Sequence, residues 1–208
     1  GSLDGKHKTI RGLFINRSTT NYVGLFGFIG TGSILNNIGI VDNNVTGNTY
    51  VGGLVGYSDY GTVSNSYAIG SVNGTDDYVG GLLGRIQHGR VNNAFASGNV
   101  IGTGKFVGGL AGINLNGTVT NVNASGNMDG DMFVGGLIGH NWGILNNAYA
   151  VGNVAGTSYV GGLMGSNELG TLDNSYSAGN VSGISYIGGL VGDNIAGAIN
   201  NSHYNIDK

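Results

Sequence analysis

Two groups of residues in this chain have types and spacings that chemistry uses. YVGGLVG at 50–56 frames a short apolar run with glycines, the composition of a turn whose backbone amides could cradle a phosphate. Asp76 and Asp77, with Asp129 and Asp131 further on, could supply a carboxylate pair for attack on a polysaccharide or oxygen ligands for calcium. The phosphate reading fails on repetition. The phrase returns as YVGGLLG at 78, FVGGLAG at 106, FVGGLIG at 133, YVGGLMG at 159 and YIGGLVG at 186, with a shorter relative, YVGLFG, at 22. No G-x-G-x-x-G opens a helical pattern and no G-x-x-x-x-G-K-[ST] is present, so the glycines belong to a scaffold.

The carboxylates meet a simpler account as well. Asp76 and Asp77 align roughly with Asp129 and Asp131 two units later, about 9.6 Å away across two strand spacings, with Gly104 and Lys105 in the unit between. Solvated turn aspartates explain that pattern, which leaves Asp129 and Asp131 as a weak calcium candidate and no cofactor expected. Glu168 is the only glutamate, and His7, His88, His140 and His203 lack the four-residue spacing that sets two zinc ligands on one helical face. No Ser/His/Asp arrangement can be argued, so no catalytic residue is assigned.

The elements that carry these residues are repeats. Spacings between the leading aromatics Tyr50, Tyr78, Phe106, Phe133, Tyr159 and Tyr186 are 28, 28, 27, 26 and 27 residues. A near-fixed period of that size marks a repeat array. From Tyr50 to Asp77 one unit offers three short extended pieces punctuated by Gly, Asn, Asp and Ser, with no helical periodicity. Pieces so short cannot bury an apolar face alone, whereas stacked copies can, each completing the backbone ladder of the next at a spacing of about 4.8 Å. The fold class predicted is all-β: a single parallel β-solenoid, triangular in section and right-handed by the general rule for parallel crossovers. Residues 1–21 would form a lead-in cap and 22–208 about seven coils, with 22–49 degenerate and 186–208 closing.

Recurrence then assigns each position a role. Leu54, Leu82, Leu110, Leu137, Leu163 and Leu190 are expected to form one buried row. Val63, Val91, Val119, Leu145, Leu172 and Ile199 would form a second, and Val72, Val100, Met128, Val154 and Val181 a third. Burial is worth about 1.5–3 kcal/mol per such side chain. Asn65, Asn93, Asn121, Asn147, Asn174 and Asn201 recur at one position, and Asn99, Asn127, Asn153 and Asn180 at another, as in-register amide ladders would require. Asn123, Asn180 and Asn200 open N-x-[ST] triplets, but corner-packed asparagines are poor glycosylation acceptors.

Repeated G-G-L-x-G followed by N-x-x-A-x-G-N-V resembles the GLUG motif, found in arrays in bacterial surface and secreted proteins, including adhesin-like proteins and streptococcal IgA-cleaving metallopeptidases. Leu3 to Ser18 is similar to the lead-in of such arrays, and SHYNIDK at the end to their closing segment. The resemblance implies a repeat scaffold rather than an activity, because the family's peptidase chemistry uses an H-E-x-x-H site that is absent here.

Composition agrees with an extracellular or cell-surface location. Charged residues are 9% and the net charge is −3, which leaves no electrostatic footprint for nucleic acid or an anionic membrane. No apolar run approaches the roughly 18 residues of a membrane helix, so membrane insertion is not expected. The absence of Cys excludes disulfides and thiolate metal sites, and Gly1-Ser2 resembles a cloning remnant on a segment of a longer chain. What varies between units is the stretch after each G-L-x-G: YSDY at 57, RIQH at 85, INLN at 113, HNW at 140, SNEL at 166 and DNIA at 193. Read as a variable corner, it makes Tyr57, Tyr60, Arg85, His88, His140 and Trp142 the candidate ligand-binding residues for a host or matrix glycan or protein, and Asn114 a tolerant position. The expected function is a non-catalytic adhesive or stalk scaffold. A polysaccharide-active or glycan-binding β-helix is the alternative. An ice-binding face is a further one, weakened because Arg90, Ile144 and Ala198 interrupt the row of Thr62, Thr118 and Thr171.

Overall fold

The computed structural model describes residues 1–205, and among these every regular element is a β-strand. The strands pair in parallel in three sheets of 15, 6 and 7 strands. One coil runs through Val79–Gly80 on a glycine-rich face, Leu83–Gln87 on a second face, and Arg90–Ser97 with Val100–Gly102 on a long face. The next coil repeats the order as Lys105–Gly108, Ala111–Leu115, Thr118–Ser125 and Met128–Asp129. The product is a β-solenoid of about seven coils, as the sequence period requires.

The first residues join the same architecture. Ser2–Arg11 and Phe14–Asn16 pair in parallel with Ile34–Gly47, adding a rung to the long face. Residues 22–49 form the first coil, in which Val23 bridges Val51, Phe26–Ile29 pairs with Val55–Asp59, and Ile34–Gly47 pairs with Thr62–Gly74. At the other end His203–Asn205 stacks on Tyr176–Ala178, and residues 206–208 of the closing segment lie outside the described residues.

Register holds from coil to coil. Val63, Val91, Val119, Leu145, Leu172 and Ile199 are direct partners in sequence. Leu54, Leu82, Leu110, Leu137 and Leu163 are all 0% exposed. Leu190 is half-buried and Ile199 exposed, because the last coil is covered from one side only. Two further rows fill the interior: Val51, Val79, Val107, Val134 and Val160 behind the glycine-rich face, and Val55, Leu83, Ala111, Ile138 and Met164 behind the second.

The paired glycines serve close approach. A Cβ on Gly109 would strike the Gly136 carbonyl oxygen of the next coil and lie 2.8 Å from the Ala124 methyl. A separate column, Gly70, Gly98, Gly126, Gly152 and Gly179, turns the long face with φ of 150, 133, 121, 140 and 131°, a region that L side chains seldom adopt.

Asparagines form three ladders. Asn65, Asn93, Asn121, Asn147, Asn174 and Asn201 sit in the left-handed region with φ between 45 and 55°, kinking the long-face strands where Asn is the best-tolerated side chain. Their amides reach the preceding coil: Asn65 donates to Asn36 at 2.9 Å, Asn93 to Asn65 at 3.2 Å, Asn121 to Asn92 at 3.0 Å and Asn174 to Asn146 at 3.1 Å. In the second ladder the amide oxygens of Asn99, Asn127 and Asn153 accept backbone N–H groups of Asn127, Asn153 and Asn180, each at 3.2 Å. Asn123 belongs to neither; its strand neighbours are Phe95 and Tyr149 on the outer long face, so the packed-corner argument does not apply to it.

The third ladder corrects the sequence reading. Asn114 is not a tolerant corner residue but is 0% exposed. The stretch after G-L-x-G is a strand, and alternation turns its middle residue inward. Asn114 donates to Asn141 at 2.8 Å, Asn141 to Asn167 at 2.9 Å and Asn167 to Asn194 at 2.8 Å. Each also caps a turn, with Asn114 donating to the Gly117 carbonyl at 3.2 Å and Asn141 to that of Gly143 at 3.1 Å. The preceding coil places Ile86 in this column, so the Asn114 Oδ1 is buried with no partner.

These contacts predict unequal tolerance. Leu110→Ala should lower the unfolding free energy by about 2–5 kcal/mol. Asn141→Leu should cost more than Asn194→Leu, since it strands the buried Asn167 oxygen, at about 1–3 kcal/mol for an unsatisfied group. Chemical denaturation ranks the three, and equal values at positions 141 and 194 would contradict the ladder. Ile86→Asn should extend the ladder by supplying a donor to Asn114. It is expected to cost less than Leu82→Asn by about 1–3 kcal/mol; parity between the two in the same denaturation series counts against that geometry.

Candidate functional site

Strand alternation also decides which variable residues leave the core. Phe28, Tyr57, Arg85, Ile113, His140, Ser166 and Asp193 form one outward column on the second face. The residue two further on belongs to a neighbouring column, with Gln87, Leu115 and Glu168 in their strands and Trp142 just past the end of Ile138–Asn141. The stretch read as a loop edge is therefore a sheet face.

The leading aromatics flank it. Tyr22, Tyr50, Tyr78, Phe106, Phe133, Tyr159 and Tyr186 stack in a continuous ladder, with centroids 4.9, 4.9, 5.0, 5.0, 4.6 and 4.5 Å apart. All seven occupy the left-handed region, with φ from 53 to 66°. That conformation costs about 1–2 kcal/mol per residue. Stacking offsets about 0.5–1.5 kcal/mol per pair beyond burial.

Between ladder and strands lies a groove of about 340 Å³, lined by Tyr78, Phe106 and Phe133 from the ladder, Arg85, Ile113 and His140 from the first column, and Leu115, Trp142 and Glu168 beyond. Its ends differ in charge. The Arg85 guanidinium carbon lies 5.0 Å from the Tyr57 ring centroid and 5.8 Å from those of Tyr50 and Tyr78, a cation–π cluster. Arg85 donates to the Tyr50 hydroxyl at 3.4 Å and to Gln87 Oε1, which also accepts from the Tyr57 hydroxyl at 3.0 Å. Burial pushes the Tyr57 and Tyr78 phenols up, and Arg85 opposes it.

His140 is 5% exposed and meets Phe106, Phe133 and Trp142 edge-on, at centroid distances of 5.7, 5.3 and 5.4 Å. Its Nε2 stands 3.6 Å from Glu168 Oε2. Burial lowers the imidazole below its ordinary value of 6.5, against the opposing pull of Glu168 and Asp193.

Four of the six residues singled out from the sequence are thus on this face: Arg85, His140 and Trp142 line the groove, and Tyr57 touches it through Arg85. Tyr60 and His88 are not part of it. They stack on each other at 4.5 Å on the adjoining corner, with φ of 56 and 51° and the His88 Nδ1 3.9 Å from Asp59. Sequence reading missed Tyr78, Phe106, Phe133, Ile113, Leu115 and Glu168 as lining; the i, i+2 alternation in RIQ, INL and HNW was the available signal.

The carboxylate alignment survives the register only in part: Lys105 pairs with Met132, so Asp131 precedes Met132 as Gly104 precedes Lys105 and keeps to the Asp76 column, but Asp129 does not. Asp129 pairs with Ile101, and Ile101 with Asn73, so Asp129 lies outside the column of Asp76 and Asp77. Asp77 instead accepts the Lys105 backbone N–H at 2.7 Å, and Asp76 accepts the Thr49 hydroxyl at 3.1 Å. Among the described residues no group of three or more His, Asp or Glu gathers as a metal site would need.

A pH dependence follows from His140. Because its folded pKa is depressed, the unfolded chain takes up the proton first as the pH drops below about 6.5, so stability is complete above that value and is lost as the pH falls beneath it. Urea midpoints at pH 7.5 and 5.5 should separate more for the native chain than for His140→Phe. Identical separations would contradict a buried neutral imidazole.

Residues 47–73 and 107–128 match the family model of the GLUG motif. Over 76 residues the chain is 42% identical to Halomucin of Haloquadratum walsbyi, covering 36% of this chain and 1% of that protein. Over 68 residues it is 38% identical to a candidate Gly-rich membrane protein of Evansella cellulosilytica, covering 31% of this chain and 8% of that one. The chain therefore spans a small fraction of the length of these relatives. The crystal structure of a candidate immunoglobulin A1 protease from Bacteroides ovatus superposes with a TM-score of 0.60 over 96% of this chain and 68% of that chain, at 20% identity, a likeness of fold alone. The GLUG motif is thus matched in two coils, and its glycines, leucine and asparagines recur in register through the others, so the chain carries an array of GLUG-type repeats.

Proposed function

We propose that the chain is a non-catalytic repeat segment of a bacterial cell-surface or secreted protein, an adhesive or stalk element whose second face meets a glycan or polypeptide of a host or matrix. One observation carries this reading: the face on which coils differ in sequence is also the face where Arg85, Ile113, His140, Trp142 and Glu168 line a groove beside an aromatic ladder. Elsewhere most columns are spent on holding coils together. The names of the Halomucin and Gly-rich membrane relatives support a surface setting.

An enzyme acting on polysaccharide would use two carboxylates across a scissile bond. The groove lining contains one, Glu168, and it faces His140. Protease chemistry, suggested by the name of the Bacteroides ovatus neighbour, has no H-E-x-x-H motif to use in this sequence. A binding role needs neither.

A glycan array and a panel of matrix proteins, read for both retention and product release, test the reading. At least one partner should be retained, with affinity falling about tenfold or more in Trp142→Ala and Arg85→Gln, as truncation of central aromatic and Arg contacts does. No product should appear. Retention of nothing on either panel would leave only a spacer, and oligosaccharide release would make the chain an enzyme; each contradicts the proposal.

A further inference from the structure

The long face carries a second column of rings, remote from the groove. Tyr67, Phe95, Asn123, Tyr149, Tyr176 and His203 are partners in register, one per coil. Tyr67 and Phe95 stack at 4.9 Å with 4° between planes, Tyr149 and Tyr176 at 5.2 Å with 8°, and Tyr176 and His203 at 5.8 Å with 17°. Asn123 is the one member from Tyr67 to His203 without a ring. It leaves the facing sides of Phe95 and Tyr149 uncovered across two strand spacings, about 9.6 Å. Tyr149 is accordingly 36% exposed.

A ring-shaped group seated over Asn123 would stand about 4.8 Å from each neighbour, the distance at which stacked rings pack. The chemistry around the gap narrows its identity. The adjoining recess, about 230 Å³, is lined by Asn121, Asn123, Asn147, Asn174, Tyr149 and Tyr176, with Val122 and Ala148, and includes no Asp, Glu, Lys, Arg or His. The Asn123 amide has no protein hydrogen-bond partner among the described residues. Amides that both donate and accept match the hydroxyls of a sugar, while its C–H faces pack on aromatic rings; nothing there compensates a charge. We propose that the Asn123 gap is a binding slot for an uncharged pyranose unit of a polysaccharide, which takes the place of the missing ring. The slot is independent of the groove reading, since it lies on another face.

The test is titration of the whole 208-residue chain with cellohexaose, maltohexaose, mannohexaose and chitohexaose, followed by nuclear magnetic resonance of the side-chain amides. At least one hexasaccharide should shift the Asn123 amide. Asn123→Tyr completes the column with a residue that the same column holds at 67, 149 and 176, so it should fold as the native chain does and bind at least tenfold more weakly. Trp142→Ala should leave the shift of the Asn123 amide unchanged, whatever it does to sugar held in the groove. Absence of binding by all four sugars, unaltered affinity in Asn123→Tyr, or loss of that shift in Trp142→Ala alone would overturn the slot; the last outcome would assign the sugar to the groove.

Discussion

The parallel backbone ladder between successive coils is the interaction on which the rest of the structure depends. Because each coil hydrogen-bonds in register to the next, equivalent residues lie about 4.8 Å apart, and whatever occupies a position must be compatible with a copy of itself above and below. Leucine meets leucine in the core, asparagine donates to asparagine, and ring stacks on ring. This explains how tyrosine and phenylalanine can occupy the left-handed corner seven times over. A single aromatic there would carry its backbone strain alone, whereas a ladder shares ring faces along its whole length.

The same constraint shows where binding can arise. A column that repeats faithfully has little surface left to recognise anything, since its members satisfy each other. Function is therefore to be sought where a column changes identity. On the second face Tyr57, Arg85, Ile113, His140, Ser166 and Asp193 share one register position but no common chemistry, and the groove lies among them. In the ring column of the long face the change is a single residue, Asn123. The buried Asn114 oxygen marks a third break, where an amide ladder abuts Ile86 and the cost falls on stability instead.

Much of this was legible in the sequence because a solenoid writes its period directly into the chain. The 26- to 28-residue spacing, the leucine rows and the recurrent asparagines led to the coil without reference to any structure. The variable face is less legible, because variation between repeats reads as a loop. In RIQ, INL and HNW the outer residues alternate with an inward one, and these inward residues, Ile86, Asn114 and Asn141, are among the most deeply buried in the molecule. The misplacement of Asp129 had another origin, because counting whole units ignores where coils gain or lose a residue. Left-handed aromatics were invisible, since nothing in an aromatic side chain announces a backbone conformation that it ordinarily avoids.

In-register stacking is the central claim, and pulsed electron spin distance measurement tests it most directly. The chain has no native cysteine, so labels can be placed without background. Ile34, Thr62, Arg90, Thr118, Ile144, Thr171 and Ala198 form one column by pairing, its members exposed or half-buried, so labels at 62 and 198 are five steps apart and labels at 34 and 198 are six. Single narrow distributions centred near about 24 and 29 Å, differing by one strand spacing, are the predicted result. Broad distributions, or two means that fail to differ by about 4.8 Å, would contradict the account.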